Sequence, residues 1–177
     1  FIFSTTKSII SEIGAVKQIA EICGNLGISK PLIVTDQGIV NIGLMQPLDI
    51  AFKKVGKEYF CFDQVVADPP ENIVLAAVAY AKKLEVDGII GFGGGSSLDT
   101  AKLVALLANS DEQLADIYGV DAIRGKRLPL ILIPTTAGTG SEVTPIAIVT
   151  TGDTTKAGVV SAELLPDIAI LDASLTL

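Results

Sequence analysis

Apolar residues along this chain gather into short runs rich in β-branched side chains, separated by longer stretches where they recur every three or four positions. Such alternation marks a parallel α/β sheet: strands buried on both faces read as unbroken apolar runs, and the intervening period suits amphipathic crossover helices. The runs PLIVTD (31–36), YFCFDQV (59–65), GIIGFG (88–93), PLILIPT (129–135) and IAILD (168–172) are read as parallel strands. Helices are expected over 14–26, 43–55, 70–84 and 97–108. Two segments depart from this rhythm. One is the opening FIFSTTKSI; the other is IAIVTTGDTTKAGVVS (146–161), whose β-prone halves flank Gly152-Asp153, a hairpin turn signal. They predict a small antiparallel addition at the sheet edge. Residues 109–127 are irregular and read as an exposed helix and loop. With no repeat or linker, the expectation is one Rossmann-like α/β domain over 1–177.

Composition narrows the field. The chain has 177 residues, of which 49% are hydrophobic, and a mean hydropathy of +0.55, enough for a sizeable core. A net charge of -7 with scattered Lys and Arg argues against a nucleic-acid partner. Cys23 and Cys61 lie far apart without a CxxC pattern and are read as small, reduced core residues. No apolar run nears the ~20 residues needed to cross a bilayer, so a cytoplasmic protein without membrane association is expected. Histidine is missing altogether, which removes the commonest general base and transition-metal ligand. The chain opens at Phe1 and stops inside DASLTL, so it is expected to be a piece of something longer.

Candidate chemistry sits at the strand ends. Gly91, Gly93, Gly94 and Gly95 precede Ser96 and Ser97 and a helix, the arrangement in which bare backbone amides at a helix N-terminus accept a phosphate. Ser96 and Ser97 are N-cap candidates, and Asp99 is expected in the first turn, beside the positive end of the helix dipole. The loop is neither G-x-G-x-x-G nor a Walker A. A second loop, with Thr135, Thr136, Gly138, Thr139, Gly140 and Ser141 after an apolar strand, offers hydroxyls to a polar ligand lying across the sheet. Asp36, just past another strand, is open to two readings: acceptor for ribose hydroxyls, or helix N-cap. Ser141 is not a nucleophile, since its context is not G-x-S-x-G and no histidine activates it. Nothing fixes the separation of Asp99, Glu142 and Asp172, and the last two are expected as surface carboxylates.

Three stretches, VTDQG at Val34, GFGGGSSLDTAK at Gly91 and PTTAGTGSEVTPIAIVT at Pro134, together resemble the iron-containing (group III) alcohol dehydrogenase family, and LLPDIAILDASLTL from Leu164 is similar to its following segment. The resemblance implies an NAD(P)-binding domain followed in intact members by a helical domain whose Asp and His residues hold a divalent metal, iron or zinc. Those ligands would lie beyond Leu177, so no metal-binding or catalytic residue is expected within the chain. Carried over, Gly94, Gly95, Ser96 and Asp99 match the family's pyrophosphate loop. Thr135, Thr136, Thr139 and Ser141 match its nucleotide-holding loop, and Lys156 falls where the family has a cofactor-contacting lysine. Asp36 matches a position whose acidic residue goes with NAD rather than NADP. One departure is visible: many members carry Pro-Asn-Pro-Thr after the second strand, and VADPPEN here puts Asp68 in place of the asparagine. The implied reaction is metal-assisted hydride transfer between NAD and a small alcohol or aldehyde, by a homo-oligomer. Alternatives are a glycerol dehydrogenase or dehydroquinate synthase-like enzyme, or a stand-alone nucleotide-binding module.

Overall fold

The computed structural model describes residues 4–176. In chain order the elements are β1 (Ser8–Ser11), α1 (Ile19–Asn25), β2 (Pro31–Val34), α2 (Gln37–Asn41), α3 (Gln46–Lys54), β3 (Phe60–Phe62), α4 (Glu71–Leu84), β4 (Gly88–Gly93), α5 (Gly95–Leu107), β5 (Gly119–Val120), β6 (Leu130–Pro134), β7 (Ile146–Thr151), β8 (Thr155–Val160) and β9 (Ile168–Leu171). Six strands form one sheet in the order β1-β9-β6-β4-β2-β3, and every pairing in it is parallel.

The period of two along the strands splits the core into halves. Leu32, Val34, Ile89, Leu130 and Leu132 face α4 and α5, whereas Ile33, Ile90, Phe92, Ile131 and Ile133 face α1 and α3. All ten side chains have no exposure, so each contributes about 1.5–3 kcal/mol by leaving water. Helix α5 is buried all round from Ser97 to Leu107, because it lies between the sheet, α4 and β7. Gly91 permits that approach: a Cβ there would sit 2.6 Å from Leu132 Cδ2 and 2.8 Å from the Cβ of Ala101.

The expected parallel sheet with flanking helices is present, and four details differ. The opening strand is at the sheet edge, but β1 pairs parallel with β9, Ser8 opposite Ile168; Phe1 to Phe3 lie outside the described residues. The hairpin β7–β8 is antiparallel as expected, yet it joins β5 in a separate three-stranded sheet against α5. Within 109–127 the only helix is a short 3-10 turn, Leu114–Asp116, and β5 supplies the strand that sequence patterning did not suggest. The first predicted helix divides into a 3-10 turn (Ala15–Gln18) and α1. Both cysteines are free; burial raises Cys23 to about 12, and Cys61 is half-buried. No described helix is long and apolar enough to cross a membrane.

Candidate functional site

The chain leaves β4 through Gly93, whose φ of 144° places it where an L side chain is strained, and a Cβ would lie 2.9 Å from Ser97 Oγ. Gly94 is the N-cap of α5 and offers no side chain for capping. The Leu98 N–H is bonded back to Gly94 O at 3.1 Å, so the amides of Gly95, Ser96 and Ser97 have no partner within the helix and stand at its positive end. Neither serine is the cap. Ser97 Oγ donates to Asp36 Oδ2 at 3.4 Å, and Ser96 Oγ accepts from the Asp68 N–H at 3.3 Å.

The second loop leaves β6 beside this one. Thr135 N–H donates to Gly93 O at 2.9 Å, and further along a 3-10 turn (Ser141–Val143) brings the chain back to α5. A Cβ on Gly95 would meet Ser141 Oγ and Thr139 Cγ2 at 3.2 Å, so the glycine lets the loops touch. A cavity of about 730 Å³ is lined by Asp36, Gly94, Gly95, Ser96, Thr135 and Thr136. An adjoining one of about 320 Å³ is lined by Gly95, Ser96, Asp99, Thr139, Ser141 and Lys156. Gly95 and Ser96 are common to both, so all ten residues singled out in the sequence surround one continuous region.

Asp36 caps α2: its Oδ1 accepts from the Ile39 N–H at 3.0 Å. Its second oxygen accepts from Ser97 Oγ, and both residues line the larger cavity. Asp99 departs from expectation. It lies beyond the first turn and is buried; its Oδ2 accepts from the Ile148 N–H at 3.0 Å, and its Oδ1 lies 3.4 Å from Lys102 Nζ. Burial raises the Asp99 pKa against the pull of the lysine, and burial lowers that of Lys102 against the pull of the aspartate. Lys102 itself was not anticipated. It is fully buried, donating to Ile146 O at 2.7 Å and Thr144 Oγ1 at 3.3 Å, and with Asp99 it clasps the hairpin onto α5. The available signal was a lone lysine three residues after an aspartate, leading into the apolar run LVALL. On that hairpin Lys156 Nζ pairs with Asp68 Oδ1 at 2.6 Å.

Asp172 is not a surface group. It is buried, and although burial works to raise its pKa, bonds from Ser174 and the amides of Gly14 and Val16 leave it lowered, fixing the turn before α1. Among the described residues no group of three or more His, Cys, Asp or Glu is placed to hold a metal ion. A family metal therefore does not fit these residues.

The profile of the family described as "Iron-containing alcohol dehydrogenase" matches residues 6–173. The sulfoacetaldehyde reductase of Bilophila wadsworthia (strain 3_1_6) is 40% identical over 177 residues, covering 99% of this chain and 46% of that protein. The crystal structure of a 1,3-propanediol oxidoreductase superposes with a TM-score of 0.93 at 29% identity, over 99% of this chain and 46% of its own. That of sulfoacetaldehyde reductase from Bifidobacterium kashiwanohense in complex with NAD+ gives 0.89 at 29%, over 99% and 47%. The chain thus spans about half the length of the relatives it matches.

Proposed function

We propose a function from the premise that this chain belongs to the iron-containing alcohol dehydrogenase family: it forms the nucleotide-binding part of an NAD-dependent oxidoreductase that oxidises a small alcohol or reduces an aldehyde or ketone. One observation carries the reading. The uncapped start of α5 and the hydroxyl-rich second loop border the same two joined cavities at the C-terminal ends of β4 and β6.

In this reading the amides of Gly95 and Ser96, with Gly94, hold the pyrophosphate. Thr135, Thr136, Thr139 and Ser141 give hydroxyl contacts along the nucleotide, and Lys156 gives the positive one. Asp36 accepts from ribose hydroxyls with its outward oxygen and repels a 2'-phosphate, which favours NAD over NADP. Asp99 is a positioning residue: with its oxygens spent on Ile148 and Lys102, it fixes the hairpin that carries Lys156. Bound NAD supplies the hydride acceptor, and its reduced form the donor. The chain's own residues bind and orient. A divalent metal, iron or zinc, would be held by a helical domain outside these residues. The names of the relatives, reductase and oxidoreductase, favour this reading over a dehydroquinate synthase-like or stand-alone module. Cytoplasmic location and homo-oligomeric assembly belong to the same proposal.

Calorimetric titration of the chain with NAD and NADP tests it. Binding of NAD, with NADP at least about tenfold weaker, is expected; no heat with either dinucleotide would overturn the reading.

A further inference from the structure

Asp68 is held in the cleft by its backbone. Its φ of 50° is left-handed, shared among the described non-glycine residues only by Glu85 and Asp121, and tolerated by aspartate better than by most. The Asp68 N–H donates to Ser96 Oγ at 3.3 Å, its carbonyl accepts from Thr150 Oγ1 at 2.9 Å, and Thr150 N–H donates to Pro69 O at 2.9 Å. The connection between β3 and α4 is thereby strapped to the glycine loop on one side and the hairpin on the other. None of these bonds uses the carboxylate, which turns instead to Lys156 at 2.6 Å.

The charges around the cleft give that pair its meaning. Asp36 and Asp63 line the larger cavity, and Asp68 and Asp99 the smaller; among the described lining residues Lys156 is the only cation. The one ammonium group available to an anionic ligand is therefore already engaged by a carboxylate beside Ser96. Both ends of the pair are open to solvent, with side-chain exposures of 57% and 66%, so the bond is weak enough to exchange.

We propose that Asp68 is an internal counter-anion that sets cofactor affinity: it holds Lys156 in the empty cleft and yields it to the cofactor's diphosphate. Each binding event then exchanges one anionic partner of Lys156 for another, which lowers affinity and eases release of the product nucleotide. The inference rests on the reading of this cleft as the NAD site.

Asp68→Asn removes the charge and keeps the three backbone contacts, since asparagine also tolerates the left-handed conformation. NADH is titrated calorimetrically into the 177-residue chain as wild type, D68N, K156M and the double variant, each first shown to be folded by its thermal melt. D68N is expected to bind about 3- to 10-fold more tightly than wild type. In the K156M background the gain from D68N should shrink to less than half. Unchanged or weaker binding by D68N overturns the proposal, and so does an equal gain in both backgrounds, which would mean direct repulsion without Lys156. Inorganic pyrophosphate, titrated into the same four proteins, separates the two readings. If no variant binds NADH yet D68N binds pyrophosphate more tightly than wild type, the cofactor assignment fails and the counter-anion role stands. If neither ligand distinguishes D68N from wild type, the role falls.

Discussion

Replacing Lys102 by methionine keeps an unbranched stem of similar length and deletes the charge at its end. In the wild type that ammonium is fully buried and bonded to Ile146 O, Thr144 Oγ1 and Asp99 Oδ1 at 2.7, 3.3 and 3.4 Å. Its loss leaves the part-buried Ile146 carbonyl short of a donor and a buried carboxylate short of its counter-charge. Removing one partner of a buried pair costs about 3–5 kcal/mol. Asp99 keeps the Ile148 N–H and a side-chain exposure of 12%, which places the loss near the lower end, about 3 kcal/mol. For a domain of this size that corresponds to a fall of about 6–12 °C in Tm. Urea unfolding of K102M, D99N and the double variant gives the coupling directly, and a value of about 1–3 kcal/mol in favour of the pair is expected. The variant also carries a pH signature. Burial already raises Asp99 above its ordinary 3.8, and without Lys102 it rises further. A carboxyl that binds its proton more tightly when folded loses stability as pH rises through that window, so the deficit of K102M should shrink as the pH is lowered towards about 4. A K102M protein within about 0.5 kcal/mol of wild type at neutral pH would refute the clasp.

Three further outcomes are expected. Asp36→Ser keeps an N-cap for α2 and removes the charge facing the larger cavity, so the preference for NAD over NADP should fall about tenfold or more with little change in Tm; an unchanged ratio of the two Kd values would show that Asp36 does not face the ribose. Gly95→Val drives a branched carbon against Ser141 and Thr139, already 3.2 Å from the place of a Cβ, and should weaken NAD binding about tenfold or more in a calorimetric titration; wild-type affinity would show that the two loops can part freely. Burial alone would raise Asp167, but bonds from Arg127, the Leu130 amide and Lys7 hold it at about 2. A carboxyl lowered in the folded state stabilises above its unfolded pKa and loses that contribution as pH falls towards the folded one. Asp167→Asn should therefore cost about 1–2 kcal/mol at neutral pH, allowing for solvent screening, and that cost should shrink to a small fraction as the pH falls to about 2; a gap that persists undiminished there refutes the assignment.

Much of this fold was legible because both faces of its sheet are covered. The central strands β2, β4 and β6 are buried along their whole length, so each announces itself as an apolar run, and the amphipathic α4 lies within a residue of its expected start. Helix α2 left no such trace, since none of its residues is buried and its start depends on a single Asp36 cap. The pairing of β1 with β9 was hidden for another reason: nothing within four residues of strand encodes a neighbour 160 positions away. At the site, the loops were readable from glycine and hydroxyl density. The division of labour within them was not, because it is decided by tertiary neighbours. Leu132 and Ala101 crowd Gly91, whereas Ser97 crowds Gly93, and only the folded chain distinguishes packing from a turn towards a ligand. Asp99 read as a first-turn acid and Asp172 as a surface one because the amides that bond them, from Ile148 and from Gly14 and Val16, lie on remote segments.

The strand order carries a consequence for synthesis. Within the six-stranded sheet, each strand after β2 is laid beside one already made: β3 and β4 flank β2, β6 joins β4, and β9 joins β6. The sheet can therefore grow outward as the ribosome delivers it. In that sheet β1 breaks the sequence, for its neighbour among the described residues is β9. Of these six strands the earliest in the chain is therefore the last to be paired, and until Ile168–Leu171 emerges its backbone must be kept in water or in the care of a chaperone.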